Sequence, residues 1–270
     1  MSLLLQDNLN HAREAQDLLV HSLAELGGCL AVAAEPYSVP DHPSWLGSRD
    51  GSVALYFRWG HASIFFSPLE KGEGFVACKW GELAIVGCYF SPTRPFHEFE
   101  EFLNGLERVI RRLQTCPLLV LGDFNAKSVT WGSPRTDVRE RVLEECMAAC
   151  SFATVNEDTQ HTCVRRNGGS IVDVTFASPS AIARVSEWKV KDDLETLSDH
   201  RYITMKVSEL PGPPRGRHEE RRHPRSKGGS LESWTQVSCP PLLRPRPGQV
   251  HRPGRATSER SSGGSARRWL

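Results

Sequence analysis

Asp123 and Asn125 close the stretch Leu118-Leu119-Val120-Leu121-Gly122-Asp123-Phe124-Asn125, in which four aliphatic residues lead into a carboxylate and a carboxamide. Bounded by Pro117 and Gly122, the aliphatic run reads as a short buried strand. Alternation along an extended chain would turn Asp123 and Asn125 to one side of it. An Asx turn leaving the strand is the competing reading. Other polar groups also stand at the ends of apolar runs: Asn8, Glu35, Tyr89, Asp173, and Asp199 with His200. Taken singly, each has an ordinary structural explanation as a turn, a rim residue or a cap. Asp173 resists that explanation, because an acid inside Ile171-Val172-Asp173-Val174-Thr175-Phe176 needs a partner.

The recurrence of acids and amides at strand ends suits phosphoryl transfer assisted by a hard cation. Mg²⁺ takes oxygen ligands and keeps several waters, so one or two carboxylates suffice, with Glu35 the first choice. A histidine held by an acid can stabilise charge on a phosphate or handle a proton. An aspartate beside a metal can orient or deprotonate an attacking water. Asparagine and tyrosine can donate hydrogen bonds to phosphoryl oxygens as charge builds.

The elements that must position these groups follow from the pattern. A first strand is expected over 3–10, with Asp7 an awkward acid within it, then a helix over 11–27 closed by Gly27-Gly28 and a second strand over 29–34. This is a βαβ-like opening. Strands over 52–57, 62–66, 74–78 and 83–90 come next, separated by turn residues. An amphipathic helix over 96–114 precedes the strand at 118–121, and a second follows at about 137–150. Short strands near 153–155, 162–164, 171–176 and 188–190 and a closing strand over 202–207 complete the body. Two packed sheets with helices outside account for this α+β order.

Composition divides the chain of 270 residues in two. Residues 1–210 hold 20 Lys+Arg against 28 Asp+Glu, whereas residues 211–270 hold 13 against 4, with half of the 18 prolines. A mildly acidic folded body, 1–209, is therefore expected to carry a basic, Pro/Gly/Arg-rich disordered tail, 210–270. The eight cysteines form no CxxC pair, which argues for reduced, mostly buried thiols and against a zinc site. No secretory leader or membrane-length apolar run is visible, so an intracellular protein without a membrane span is expected.

The ordered set Gln6-x-Asn8, Glu35-Pro36, Tyr89 before Pro92, Gly122-Asp123-Phe124-Asn125, Asp173 and Ser198-Asp199-His200 resembles the endonuclease/exonuclease/phosphatase superfamily over roughly residues 3–207. The wording is closer still to the endonuclease domain of insect-type (R1-like) non-LTR retrotransposons. Gln6-x-Asn8-Leu9-Asn10, Glu35-Pro36-Tyr37, Asp123-Phe124-Asn125-Ala126-Lys127-Ser128, Trp131-Gly132-Ser133, Thr136-Asp137-x-Arg139, and Leu197-Ser198-Asp199-His200-Arg201-Tyr202-Ile203 carry that likeness. The resemblance implies a four-layer α/β sandwich and Mg²⁺-dependent phosphodiester hydrolysis, with Mn²⁺ as a substitute. It implies that double-stranded DNA is nicked and that the 3′-hydroxyl primes reverse transcription. It assigns Glu35, Asn8 and Asp199 to the metal and Asp123 to the water. Asn125 and Tyr89 fall to the phosphate, and His200, oriented by Asp173, to the transition state. Thr162, Arg165, Arg166 and Lys127 become phosphate or DNA contacts.

Asp7, where the pattern usually has an apolar residue, and Glu140, where it has glycine, depart from the family. Asp7 is expected to weaken the first strand. No polymerase motif follows, which suggests a truncated or frameshifted copy. Loop arginines near the site (Arg135, Arg139, Arg141, Arg165, Arg166 and Arg201, with Lys127) offer a basic patch on an acidic body. A chromosomal substrate implies nuclear access. Competing readings keep the fold but change the substrate, to an abasic site or a small phosphoester, or make the chain an inactive mobile-element relic.

Overall fold

A computed structural model describes residues 1–208 except 61–64, 134–135, 158 and 167. The expected tail, 210–270, therefore lies outside the described residues, as do Arg135 and most of the expected strand at 62–66.

The chain opens β1 (Ser2–Asn8), α1 (Arg13–Glu25), β2 (Leu30–Ala34), with β1 and β2 parallel, so the βαβ opening is present. Then come β3 (Trp45–Gly47), β4 (Val53–Phe57), β5 (Phe66–Gly72), β6 (Phe75–Trp80) and β7 (Leu83–Tyr89). Next are α2 (Phe96–Leu113), β8 (Leu118–Asp123), α3 (Val138–Ala149) and the short β9 (Ala153–Thr154). The hairpin β10 (Cys163–Arg165) and β11 (Gly168–Ser170) precedes β12 (Asp173–Ala177), α4 (Pro179–Ile182), β13 (Val185–Val190) and β14 (Ile203–Val207). The three-residue β3 and the Gly-rich β11 are too short to leave a periodic signal in the sequence.

Two six-stranded mixed sheets form, in the orders β13-β14-β1-β2-β4-β3 and β5-β6-β7-β8-β12-β9. Each holds one parallel pair, β1 with β2 and β7 with β8, made possible by the helical crossovers α1 and α2. Leu4, Val32 and Leu55 of the first sheet meet Val76, Ile85 and Leu121 of the second in the apolar layer between them. The outer face of the first sheet buries Leu5, Ala31 and Ala33 against Leu19 and Leu23 of α1. That of the second buries Val86, Leu118 and Val120 against Phe99, Leu106 and Ile110 of α2 and Leu143 and Met147 of α3. The result is the four-layer α/β sandwich, helix–sheet–sheet–helix.

Asp7 does not interrupt β1. The strand pairs on both sides, and Asp7 sits opposite Ala33. Its carboxylate is buried and neither oxygen has a hydrogen-bond partner, so the cost lies in the side chain and not in the ladder. Glu140 is also buried, and its Oε1 accepts from the Ser128 hydroxyl at 2.5 Å. Among the described residues all seven cysteines are free, five of them buried. No helix among them is long and apolar enough to cross a membrane.

Candidate active site

The strand directions bring the polar residues together. Parallel pairing puts the C-terminal ends of β1 and β2 side by side, delivering Asn8 and then Glu35 at one edge of the first sheet. In the second sheet Tyr89 stands in register with Asp123 across β7 and β8, and Asp173 opposes Asp123 across the antiparallel β8–β12 pair. Gly122 makes that approach possible. With φ +156°, a Cβ there would lie 1.8 Å from the Cys88 carbonyl oxygen.

Asp123 is the hub. Its Oδ2 accepts from Asn8 Nδ2 at 2.9 Å and Asn125 Nδ2 at 3.1 Å, and its Oδ1 accepts the Asn125 backbone N–H at 2.8 Å. The last bond is an Asx turn, and Asn125 takes φ +47°. The two residues therefore meet through that turn, not through strand alternation. Burial, reinforced by the charge of Asp173, raises the Asp123 pKa to about 7 against the opposing pull of His200 and Asn8.

His200 lies in the loop before β14, buried, with Nδ1 2.8 Å from Asp173 Oδ2 and Nε2 4.0 Å from Asp123 Oδ2. Burial is the strongest single influence and pulls its pKa down. The charge and hydrogen bond of Asp173, with Cys163 and Asp123, outweigh it, and the imidazole pKa ends well above its ordinary value. The surrounding carboxylates thus favour the charged ring, in which both nitrogens are donors. Ser198, part of the Ser-Asp-His motif, ties the loop down: its hydroxyl donates to the Asn8 carbonyl at 2.6 Å and accepts the His200 N–H at 3.2 Å.

Glu35, at φ +44°, accepts from the Tyr89 hydroxyl at 2.5 Å and lies 3.4 Å from His11 Nε2. Nothing in the sequence pattern pointed to His11. Burial, then the contact with Glu35, raises the Tyr89 pKa, so the phenol remains a donor. Asp199 accepts from Arg165 Nε at 2.5 Å through Oδ2, while its Oδ1, like Asp173 Oδ1, is buried without a partner. A buried carboxylate oxygen left without a donor calls for a cation or water. This oxygen-rich set of carboxylates and amides fits a hard divalent ion. Beside Asn125 a cleft of about 450 Å³ opens, lined by Pro92, Phe96, Asp137, Val138 and Arg139.

A protein-family model described as endonuclease–reverse transcriptase matches residues 83–204. The structure aligns with the endonuclease domain of TRAS1, a telomere-specific non-LTR retrotransposon, at TM-score 0.67 and 25% identity, over 77% of this chain and 98% of that one. The body is an endonuclease/exonuclease/phosphatase nuclease fold. A 3′–5′ exonuclease from Neisseria meningitidis (TM-score 0.58, 18% identity, 76% and 99% of the two chains) shares that fold. So does an AP endonuclease from Archaeoglobus fulgidus (0.57, 16%, 77% and 99%). No curated protein sequence matches the chain.

Within this nuclease fold the remaining expected residues separate. Asn8, Glu35, Tyr89, Asp123, Asn125, Asp173, Asp199 and His200 form one connected edge. Thr162 does not face outward: it is fully buried, and its hydroxyl accepts the backbone N–H groups of Val172 and Asp173 at 3.2 and 3.3 Å. It holds the start of β12 in place. Arg165 is engaged with Asp199, whereas Arg166 and Lys127 are exposed. Arg139 is a staple, donating to the carbonyls of Ser91, Pro92 and Arg94 while lying over Phe90 and Phe99. Cys163, absent from the expected set, lies beside Asp199 and His200.

Proposed function

We propose that the chain is a divalent-metal-dependent endonuclease that nicks double-stranded DNA, leaving a 3′-hydroxyl able to prime reverse transcription of a non-LTR retrotransposon. The observation that carries this reading is the convergence of Asp123 and His200, with His200 Nε2 4.0 Å from Asp123 Oδ2 and its Nδ1 held 2.8 Å from Asp173; burial raises the Asp123 pKa to about 7 and the carboxylates around His200 favour its charged form. A base must be free to take a proton near neutral pH, and a phosphate under attack needs a fixed cation. The likeness to the TRAS1 domain along nearly its whole length supports DNA as the substrate.

Glu35, with Asn8 and Asp199, would hold Mg²⁺ or Mn²⁺, which when bound offsets charge on the phosphate and polarises it. Asp123 orients the water and accepts its proton. Asn8 and Asn125 both donate to Oδ2, which leaves Oδ1 as the oxygen with a single donor, the Asn125 N–H. The Asn125 amide spends both hydrogens, on Asp123 Oδ2 and on the Phe90 carbonyl, and so positions Asp123. The Tyr89 phenol would turn from Glu35 to a phosphoryl oxygen once Glu35 serves the metal, and His200 Nε2–H stabilises the growing negative charge. Asp173 keeps the imidazolium oriented, as an acid does for any working histidine. Exposed Lys127 and Arg166 supply backbone contacts on an otherwise acidic body. The residues beyond 209 form a separate basic segment, and the substrate requires entry to the nucleus.

The test is conversion of supercoiled plasmid to open circle by the purified full chain, with Mg²⁺, with EDTA, and with Asp123→Ala and His200→Ala. Metal-dependent nicking lost in both variants, with 3′-hydroxyl ends extendable by a polymerase, is expected. A folded protein that leaves the plasmid intact overturns the reading.

A further inference from the structure

We propose that Cys163, Asp199 and His200 form a site for one thiophilic divalent ion, Zn²⁺ or Cd²⁺, overlapping the hydrolytic edge. Occupancy by such an ion switches hydrolysis off. The binding claim stands on geometry alone; the inhibitory consequence rests on the nuclease reading above.

Backbone pairing builds the site. Cys163 and His200 form an isolated antiparallel bridge, flanked by the Val164 N–H bond to the Asp199 carbonyl and the Arg201 N–H bond to the Thr162 carbonyl, both 2.7 Å. Residues directly opposite in such a bridge project their side chains to the same face, with Cβ atoms about 5 Å apart. One ligand atom from each of Cys163, Asp199 and His200 accordingly lies within 4.8 Å of the others. Sγ is 3.9 Å from Asp199 Oδ2, and His200 Nε2 is 3.9 Å from Asp199 Oδ1. With Nδ1 engaged by Asp173, Nε2 is the ring nitrogen left for an ion. Tetrahedral zinc separates such ligands by about 3.3–3.6 Å, so contractions of about 0.3–1.2 Å close the site. The buried, partnerless Asp199 Oδ1 is an oxygen already stripped of water.

The donor set sorts metals by softness. A thiolate and an imidazole suit Zn²⁺ or Cd²⁺, whereas Mg²⁺ takes oxygen alone. Binding releases two protons to solvent, one from the Cys163 thiol and one from His200 Nε2. It also removes Nε2–H, the donor proposed for the phosphate, and draws Asp199 away. Arg165 competes for Asp199, but its side chain is largely exposed and can swing clear. Sequence spacing gave no warning, because Cys163 and Asp199 lie 36 residues apart, far from any CxxC pattern.

The experiment titrates the metal-free full chain with Cd²⁺ and follows thiolate-to-cadmium charge-transfer absorption in the ultraviolet, with Cys116 and Cys239 replaced by serine in every sample. A saturable band of one equivalent is expected. Cys163→Ser should weaken binding by roughly 100-fold and remove the band. Arg165→Ala should tighten binding by about 1.5- to 5-fold, since it removes an exposed ion pair, and damage to the fold would not do that. In parallel, the Cd²⁺ concentration that halves Mg²⁺-dependent nicking should rise about 100-fold in Cys163→Ser. A band that survives Cys163→Ser, or weaker binding in Arg165→Ala, overturns the site. Normal Cd²⁺ binding with no nicking at all would instead overturn the nuclease reading and leave the site standing.

Discussion

Replacing Asp7 by valine should stabilise the protein. Asp7 is buried on the α1 side of the first sheet, in the layer of Leu5, Ala33 and Tyr202, and both of its oxygens lack partners. The Tyr202 hydroxyl nearby also has no partner. Burial chiefly raises the Asp7 pKa well above the ordinary carboxylate value; His200 and the neighbouring Asn8 backbone N–H, which does not reach hydrogen-bond geometry, oppose it, and Asp173 and Asp199 add to it. An unsatisfied buried polar group costs about 1–3 kcal/mol, and valine suits a paired strand. A gain of about 2 kcal/mol corresponds to a rise in Tm of roughly 4–8 °C for a domain of this size. The pH dependence follows from the sign of the shift. Below the unfolded value of about 3.9 Asp7 is neutral in both states and only the hydrogen-bond deficit separates variant from wild type. As pH rises, the unfolded state ionises first, so the wild type loses stability until the folded group also titrates. Thermal unfolding followed by circular dichroism at pH 4, 6 and 8 should show a gap that favours Asp7→Val and widens with pH. A variant less stable than wild type, or a gap independent of pH, would refute the reasoning and mean that Asp7 is paired in solution.

Nicking by wild type should climb about tenfold per pH unit up to a bend near pH 7, where Asp123 is half ionised, and Asp123→Asn should lack that limb; an unchanged profile in the variant would place the base elsewhere. Gly122→Ala should cost about 3 kcal/mol or more and depress nicking, because the added Cβ meets the Cys88 carbonyl in the strand pair that carries Asp123. Calorimetry reads the first effect and plasmid conversion the second. Arg139→Ala should lower stability by about 2 kcal/mol through loss of three hydrogen bonds to carbonyls and two ring contacts. A Tm within 1 °C of wild type, well short of the ~4–8 °C drop expected, would make Arg139 a merely solvated residue at the start of α3.

Much of the candidate site was legible because it is built from strand ends. An apolar run followed by Asp, Asn, Glu or Tyr shows in the sequence wherever the strand is buried on both faces, as in β2, β7 and β8. Asp173 announced itself as an acid in an apolar strand, and its partner proved to be His200. What stayed hidden depends on contacts between distant segments. Thr162 was assigned to the phosphate, yet two backbone N–H groups about ten residues away claim its hydroxyl. Arg139 counted as positive charge until three carbonyls and two aromatic rings came to surround it. Cys163 carried no signal, since only the bridge to His200 gives it neighbours.

Each sheet supplies half of the edge, and this arrangement ties chemistry to the packing between the sheets. Asn8 and Glu35 come from the first sheet, and Tyr89, Asp123 and Asp173 from the second. The Asn8–Asp123 and Tyr89–Glu35 bonds cross from one sheet to the other. Behind them the sheets touch through apolar side chains such as Leu4, Val32, Ile85 and Leu121, which resist separation but have little directional preference. The crossing hydrogen bonds supply the direction, since their geometry fails within a few tenths of an ångström. A polar edge on an apolar interlayer thus sets the sliding register of the sheets, and the groups that set it are those assigned to the phosphate, the water and the metal. Loss of any of them would disturb the placement of the others, so single substitutions along this edge should be far from additive.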